Sequence, residues 1–382
     1  MSVETLEITA PGIHTTVQDL GRFGYQRYGV PVSGAMDGFS LRAANLLVGN
    51  SDNAACLEIT VTGLQIRFLS DTQVATTGAD LDARLNGERM PRWQTVGVAR
   101  GDELTFYEIQ DGVRAYLAVT GGIDVPEIMG SRSTYVWANF GGFHGRALRA
   151  GDVLSALEFD SETEVIERYL PQGFATPAYG EGHEIRVVLG PQHTAFSPET
   201  IWSFTSLMFV VGAESDRMGY RLDGPVLESL SGSDIVSDGN PPGGIQVPGD
   251  GAPRVLMADK GTTGGYAKIA TVISADIGRM AQALPGHSIN FKSVTVEDAQ
   301  QILRERDAVL AAIASGNLAA LDPLRGLGVW VDGDGYEVVD QEGEVLSQPV
   351  SNGRNSSNSS QRVRATVGDE MFEFDVEVHD GA

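Results

Sequence analysis

Between Asn240 and Ile273 the chain reads NPPGGIQVPGDGAPRVLMADKGTTGGYAKIATVI, two glycine-rich segments around a short apolar run. Gly261, Gly264 and Gly265 leave backbone N–H groups open to an anion, and the hydroxyls of Thr262 and Thr263 add donors beside them. Lys260 and Lys268 bring positive charge to the same stretch; Lys292 is the only other lysine in 382 residues. A carboxylate or phosphate is the ligand such donors fit. The competing reading is a glycine turn between strands with no ligand.

Four arginine clusters are further candidates. Thr15 to Arg22 (TTVQDLGR) packs hydroxyl, amide, carboxylate and guanidinium into a short segment, and Arg132 and Arg146 stand among small residues in SRST and GGFHGR. Arg217 and Arg221 flank Met218-Gly219-Tyr220. Guanidinium beside glycine and hydroxyls grips a planar oxyanion in bidentate fashion. The same residues equally suit ion pairs with the chain's many acids, Asp216 and Asp223 among them.

The formal net charge of −24 argues against nucleic acid or an anionic membrane as partner. Such acidity with little lysine suits either a salt-adapted source or a genome that replaces lysine by arginine. Cys56 is the single cysteine, which excludes an internal disulfide or a thiolate cluster; at the start of an apolar run it reads as a buried structural residue. The six histidines show no helical pairing, so no metal site is expected. No signal-like or membrane-spanning segment is visible, and a cytoplasmic protein is the expectation.

Short alternating apolar runs punctuated by Gly, Pro, Asp and Asn must position these groups. Leu64 to Leu69, Val74 to Thr77, Glu103 to Ile109, Ala115 to Thr120, Ile185 to Leu189 and Val255 to Ala258 read as strands. Helices are expected over Ser40 to Leu47, closed by Gly49, and over Val296 to Ser315, closed by Gly316. The fold is therefore mainly β with a few helices, with an internal boundary in the Pro/Gly-rich segment Pro171 to Gly182. An echo of Met36 to Arg42 in Met218 to Asp223 hints at two related halves. Gln348 to Arg362 is a polar Ser/Asn-rich linker, Val363 to Val378 alternates as a hairpin, and Val329 to Val339 is another hairpin pattern.

TTVQDLGRFGYQRYGVPVSGAMD (from Thr15), SRSTY (from Ser131), GGFHGRALRAGD (from Gly141), SDRMGYRL (from Ser215), and GGIQVP with ADKGTTGGYAKIATVISAD (from Ala258) together resemble the allophanate hydrolase subunit two family. That family is also called KipA and includes the C subunit of bacterial 5-oxoprolinase and half of the carboxyltransferase domain of urea amidolyase. The resemblance covers about residues 5–310. It implies two tandem cyclophilin-like β-barrel domains, residues 1–178 and 179–320, the second carrying the C-terminal helix, followed by an appendage over residues 321–382. It places a ligand groove at Gln246, Pro248, Asp259, Thr262, Thr263, Gly264 and Tyr266, joined here by Gly265 and Lys260. Arg132, Arg146, Arg217 and Arg221 become anion-binding candidates. Asp259, Thr263 and Gln246 are the catalytic candidates, Asp259 as general base. The usual family loop has arginine and glutamine before the paired threonines, where this chain has Lys260 and Gly261.

The function so implied is a subunit of an ATP-dependent 5-oxoprolinase, active with a sister subunit of similar barrel fold (the KipI or allophanate hydrolase subunit one type) and a lactam-hydrolase-type subunit. ATP would be consumed by the complex, and since the chain has no GxxxxGK[ST] motif its nucleotide site would be non-standard or shared. The alternative is a biotin-dependent carboxyltransferase half; with no Met-Lys-Met tripeptide, biotin would arrive on another chain. A regulatory binding module without chemistry is the third reading.

Overall fold

The computed structural model describes residues 2–157, 167–170, 179–230, 232–316, 360–367 and 370–377. The expected boundary is only partly visible, since residues 171–178 lie outside this set, as does Val329 to Val339.

In the first half two sheets enclose one apolar core. One runs Val153–Leu157, Ser2–Pro11, Leu64–Phe68, Glu103–Phe106, Ala83–Leu85, Glu88–Arg89; the other runs His14–Gln18, Cys56–Thr60, Asp111–Val119, Thr72–Asp80, Thr95–Val98. Asp111–Val119 is buried almost throughout because both its faces are covered. Ala115, Leu117 and Val119 point into the core between the sheets, while Tyr116 and Ala118 point to a helix outside, as the two-residue strand period demands. The strand from Glu103 ends at Phe106, short of the expected Ile109, because the Tyr107 N–H turns to the carbonyl of Leu81.

Helix α1 (Gly38–Leu47) covers that outer face. Asp37 caps it by accepting from the Ser40 N–H, and Gly49 at φ 77° lets the chain leave it. Met36 to Arg42 thus leads into a helix, whereas its sequence echo, Met218 to Asp223, forms the strand Gly219–Asp223; the two segments are not structural equivalents.

The second half is a closed barrel of seven strands: Gly182–Leu189, Lys268–Val272, Gly244–Gln246, Arg254–Leu256, Gly219–Asp223, Met208–Val211 and Ser288–Ser293, the last returning parallel to the first. Closure leaves these strands no open edge. Helix α2 (Pro198–Ser206) lays Phe204 on Phe291, ring centroids 4.6 Å apart, and α3 (Ile277–Ala281) adds Met280 to the core.

Helix α4 (Val296–Ser315) has the expected bounds, with a Thr295–Asp298 capping box and Gly316 at φ 67°. The expectation grouped it with the second domain. Its buried face, Leu310 and Ile313, instead packs with Leu41, Ala44 and Trp93 of the first half, because the helix's apolar stripe is narrow and α1 offers the matching one. No helix among the described residues is long and apolar enough to cross a membrane. Residues 333–382 form a separate unit, whose described part is an antiparallel hairpin of Ser360–Val367 with Glu370–Glu377. Its first strand starts at Ser360, inside the segment read as linker.

Candidate functional site

Three adjacent barrel strands line up side chains of one kind. In the ladder Arg221 stands opposite Arg254, and Arg254 opposite Gln246. Val255, next to Arg254, is fully buried in the barrel, so the alternation of the strand turns Arg254 outward. Cross-strand neighbours sit about 5 Å apart at Cβ, and like charges there repel. The two guanidiniums are tied only loosely: Arg221 to Glu214 (3.5 Å) and Asp223 (3.4 Å), Arg254 to Asp250 (3.1 Å), all substantially exposed. Such surface pairs exchange readily for a better anion.

The row faces an outer cleft of about 550 Å³, also lined by Asn240, Gly261, Thr263, Gly264, Gly265 and Tyr266. The expected glycine loop is partly a strand: Thr263–Tyr266 pairs antiparallel with Asp234–Gly239, so some of its N–H groups serve the ladder. The side chains of Asn240 and Gln246 brace it, Gln246 Nε2 donating to Asn240 Oδ1 (3.0 Å) and Asn240 Nδ2 to the Gly261 carbonyl (3.0 Å). A Cβ at Gly264 would fall 2.5 Å from Gln246 Nε2, so a larger residue there would displace the Gln246 amide from its present place. Lys268, buried behind it, reaches Asp238 at 3.5 Å.

Of the expected residues, the structure brings Gln246, Arg221, Thr263, Gly264, Gly265 and Tyr266 to this cleft. Thr262 contributes its carbonyl to the Asn240 N–H, and Pro248 is a buried turn residue whose carbonyl accepts from Gly251. Arg146 is held bidentately by Asp152 (2.7 and 2.9 Å), and Arg132 donates to the Val125 carbonyl; both belong to the first half and lie outside the cleft. Arg254 and Asn240 were not singled out. Only the register of the strands, which pairs Arg254 with Arg221, marks it.

Arg217 and Asp259 are structural. Arg217 donates to Asp259 through Nε (2.8 Å) and Nη2 (3.2 Å), to the Gly34 carbonyl (2.6 Å), and to Glu58 of the first half. All three charged groups are buried. Burial alone would raise the Glu58 carboxyl; the charges of Arg217 and Arg114, with donors from Met36 and Tyr116, outweigh it and hold the carboxyl below the usual glutamate range. Arg217 answers in kind: burial would lower it, and Glu58 and Asp259 push it up instead. A carboxylate locked in this pair is badly placed to take a proton from water, so the general-base role expected of Asp259 does not fit its surroundings. Lys260 turns away from the outer cleft and lines a separate cavity.

The family model for the carboxyltransferase domain, subdomain A and B, matches residues 28–293. The chain is 39% identical over 309 residues to the 5-oxoprolinase C subunit of Escherichia coli (strain K12), covering 81% of this chain and 97% of that one. It is 36% identical over 333 residues to urea amidolyase of Saccharomyces cerevisiae, covering 83% of this chain and 18% of that much longer protein. Among solved structures, the K. lactis urea amidolyase superimposes with a TM-score of 0.77 at 33% identity, over 82% of this chain and 20% of that chain. With the barrel, the cleft and these likenesses in agreement, the chain belongs to the carboxyltransferase-domain family and spans its subdomains A and B.

Proposed function

We propose that this chain is a subunit of an ATP-dependent 5-oxoprolinase, a complex that opens 5-oxo-L-proline to L-glutamate. The observation that carries the reading is the opposed pair Arg221 and Arg254 beside Gln246 in an open cleft, supported by likeness to the 5-oxoprolinase C subunit along 97% of its length. A lactam resists water because resonance strengthens its C–N bond. Phosphorylation of the lactam oxygen by ATP removes that resonance; one water adds at the carbon, the C–N bond breaks with the ring nitrogen taking a proton to leave an acyl phosphate, and a second water hydrolyses that acyl phosphate to the carboxylate and free phosphate. The arginine pair holds the phosphorylated oxygen and the Gln246 amide orients it, as preorganised donors stabilise developing oxyanions. The cleft's own carboxylates are unsuited to act as base: Glu214 is exposed, and Asp216 accepts from the Met218 and Gly219 N–H groups. A partner subunit therefore completes the site, either the sister of similar barrel fold or the lactam-hydrolase-type subunit.

The test is glutamate release from 5-oxo-L-proline and ATP by a mixture with the two candidate partners, each omitted in turn, at low and high salt. Glutamate that disappears without this chain, and drops by about 10²-fold or more with Arg221→Gln or Arg254→Gln, supports the reading. No glutamate from well-folded mixtures overturns it. The family model, a carboxyltransferase domain, favours the second reading, in which the same arginines take the carboxylate moved from carboxybiotin on another chain to an amide or urea nitrogen.

A further inference from the structure

A second cavity, of about 440 Å³, lies among α1, α4 and the segment from Leu256 to Lys260. Its wall is mostly apolar, with Leu20, Phe39, Met257, Ile277, Leu303 and Leu310 contributing. Two cations line it without an acceptor. Lys260 is only 3% exposed, and its ammonium makes no hydrogen bond or ion pair among the described residues. Asp259, next to it, is already committed to Arg217. Arg306, from α4, stacks its guanidinium 4.1 Å from the centre of the Phe39 ring and likewise donates to no acceptor among the described residues. Burial pulls both groups below their ordinary pKa.

The cavity's carboxylates are occupied. Asp52 and Asp307 share Arg42 (2.9 and 2.8 Å), and Asp37 accepts from Ser40, Gln282 and the Tyr179 hydroxyl. Formal charge in the wall therefore cancels, and what remains are the Lys260 and Arg306 donors lining the cavity with no protein acceptor among the described residues. An anion with one charge satisfies them; a dianion would also meet three carboxylates.

We propose that this cavity binds a small monocarboxylic acid with a compact apolar body. Its carboxylate is held by Lys260, with Arg306 as the second cation, and its hydrocarbon part lies against Phe39, Met257 and Leu310. The inference holds whichever reaction the outer cleft serves.

The full chain is titrated calorimetrically with isobutyrate and benzoate, and with the matching amides, isobutyramide and benzamide. Saturable binding of the acids, with the amides at least about tenfold weaker, is expected, since a charge-assisted hydrogen bond accounts for that ratio. Lys260→Met is expected to weaken acid binding by about tenfold or more while melting no lower than the parent. Lys260→Arg retains most of the affinity, Arg306→Gln loses severalfold, and Lys292→Met, at an exposed lysine paired with Glu184, changes nothing. Acids and amides that bind alike, acids that do not bind at all, or undiminished binding by folded Lys260→Met would each overturn the proposal; the comparison of acid with amide needs no variant.

Discussion

Arg217 of the barrel half and Glu58 of the first half form a buried ion pair, and the same guanidinium clasps Asp259 on its own side. One arginine thereby joins a strand of one sheet to the segment that carries the ligand-facing loop. A second polar contact parallels it: Gln282, just after α3, accepts from the N–H groups of Val113 and Arg114 and donates to the Arg114 carbonyl and to Asp37. The halves meet through satisfied buried polar groups, which fix their relative placement more sharply than apolar packing would.

Removing one partner of such a pair strands the other. Arg217→Met is expected to cost about 3–5 kcal/mol in urea unfolding, because Glu58 and Asp259 stay buried without their counter-charge. The pH dependence follows from the lowered Glu58 carboxyl: its contribution is fully present above the ordinary glutamate range near pH 4.5 and is lost as pH falls below it. A parent protein whose stability is flat below pH 4.5 would contradict this.

Asp259 and Thr263 separate the supporting part of the loop from its working part. Asp259→Asn weakens the clasp on Arg217 and should lower stability by about 1–3 kcal/mol. Thr263 is exposed at the cleft, so Thr263→Val should leave stability within about 0.5 kcal/mol of the parent while weakening the binding of pyrophosphate, used as an anionic probe for the phosphorylated oxygen the arginine pair is proposed to hold. Thermal melts and pyrophosphate titration of both variants decide it; an Asp259→Asn protein of parental stability that has lost all activity would restore the base role.

Gly264 tests how finely the outer cleft is set. Its φ is ordinary, so alanine there brings no backbone strain, only a Cβ 2.5 Å from Gln246 Nε2 and 3.0 Å from the Asn240 side chain. Those are the ends of flexible side chains and can move aside. Stability should fall by no more than about 1 kcal/mol, while Gln246 leaves its place beside Arg254 and pyrophosphate affinity drops by about tenfold. Unchanged affinity in Gly264→Ala would mean that Gln246 takes no part.

Helices α1 and α4 were legible because their signals are local, an apolar spacing closed by Gly49 and by Gly316, whereas the shorter α2 and α3 were not read from the sequence. The glycine-loop residues that line the outer cleft stood out in the sequence for a similar reason, since residue type alone marks them as donors. Arg254 was not, because its meaning lies in strand register, which pairs it with Arg221 from more than thirty positions away. The fates of Asp259 and Arg217 were hidden likewise, as nothing near them in the chain announces Glu58. Lys260 and Thr263, three residues apart, serve different cavities, a separation only the path of the backbone between them creates.

The closing seam of the barrel carries a titratable device of its own. His183, on the first barrel strand, lies with Nε2 3.2 Å from His287 Nδ1, the rings stacked 5.5 Å apart, beside the parallel pairing of Gly182–Leu189 with Ser288–Ser293. Burial first, then His287 and Arg279, lower its pKa to about 4. An unfolded histidine takes up its proton near pH 6.5, so between pH 6.5 and 4 unfolding binds a proton that the folded chain refuses. Stability from this group is therefore fully present above pH 6.5 and declines as pH falls towards 4, by on the order of 2–3 kcal/mol in all. Urea unfolding of the parent and of His183→Phe between pH 7 and 4.5 measures it: the variant keeps a ring to stack and should show a shallower decline. The Glu58 contribution begins to fail only below this window, so the two titrations separate, and equal slopes for both proteins would place the acid sensitivity elsewhere.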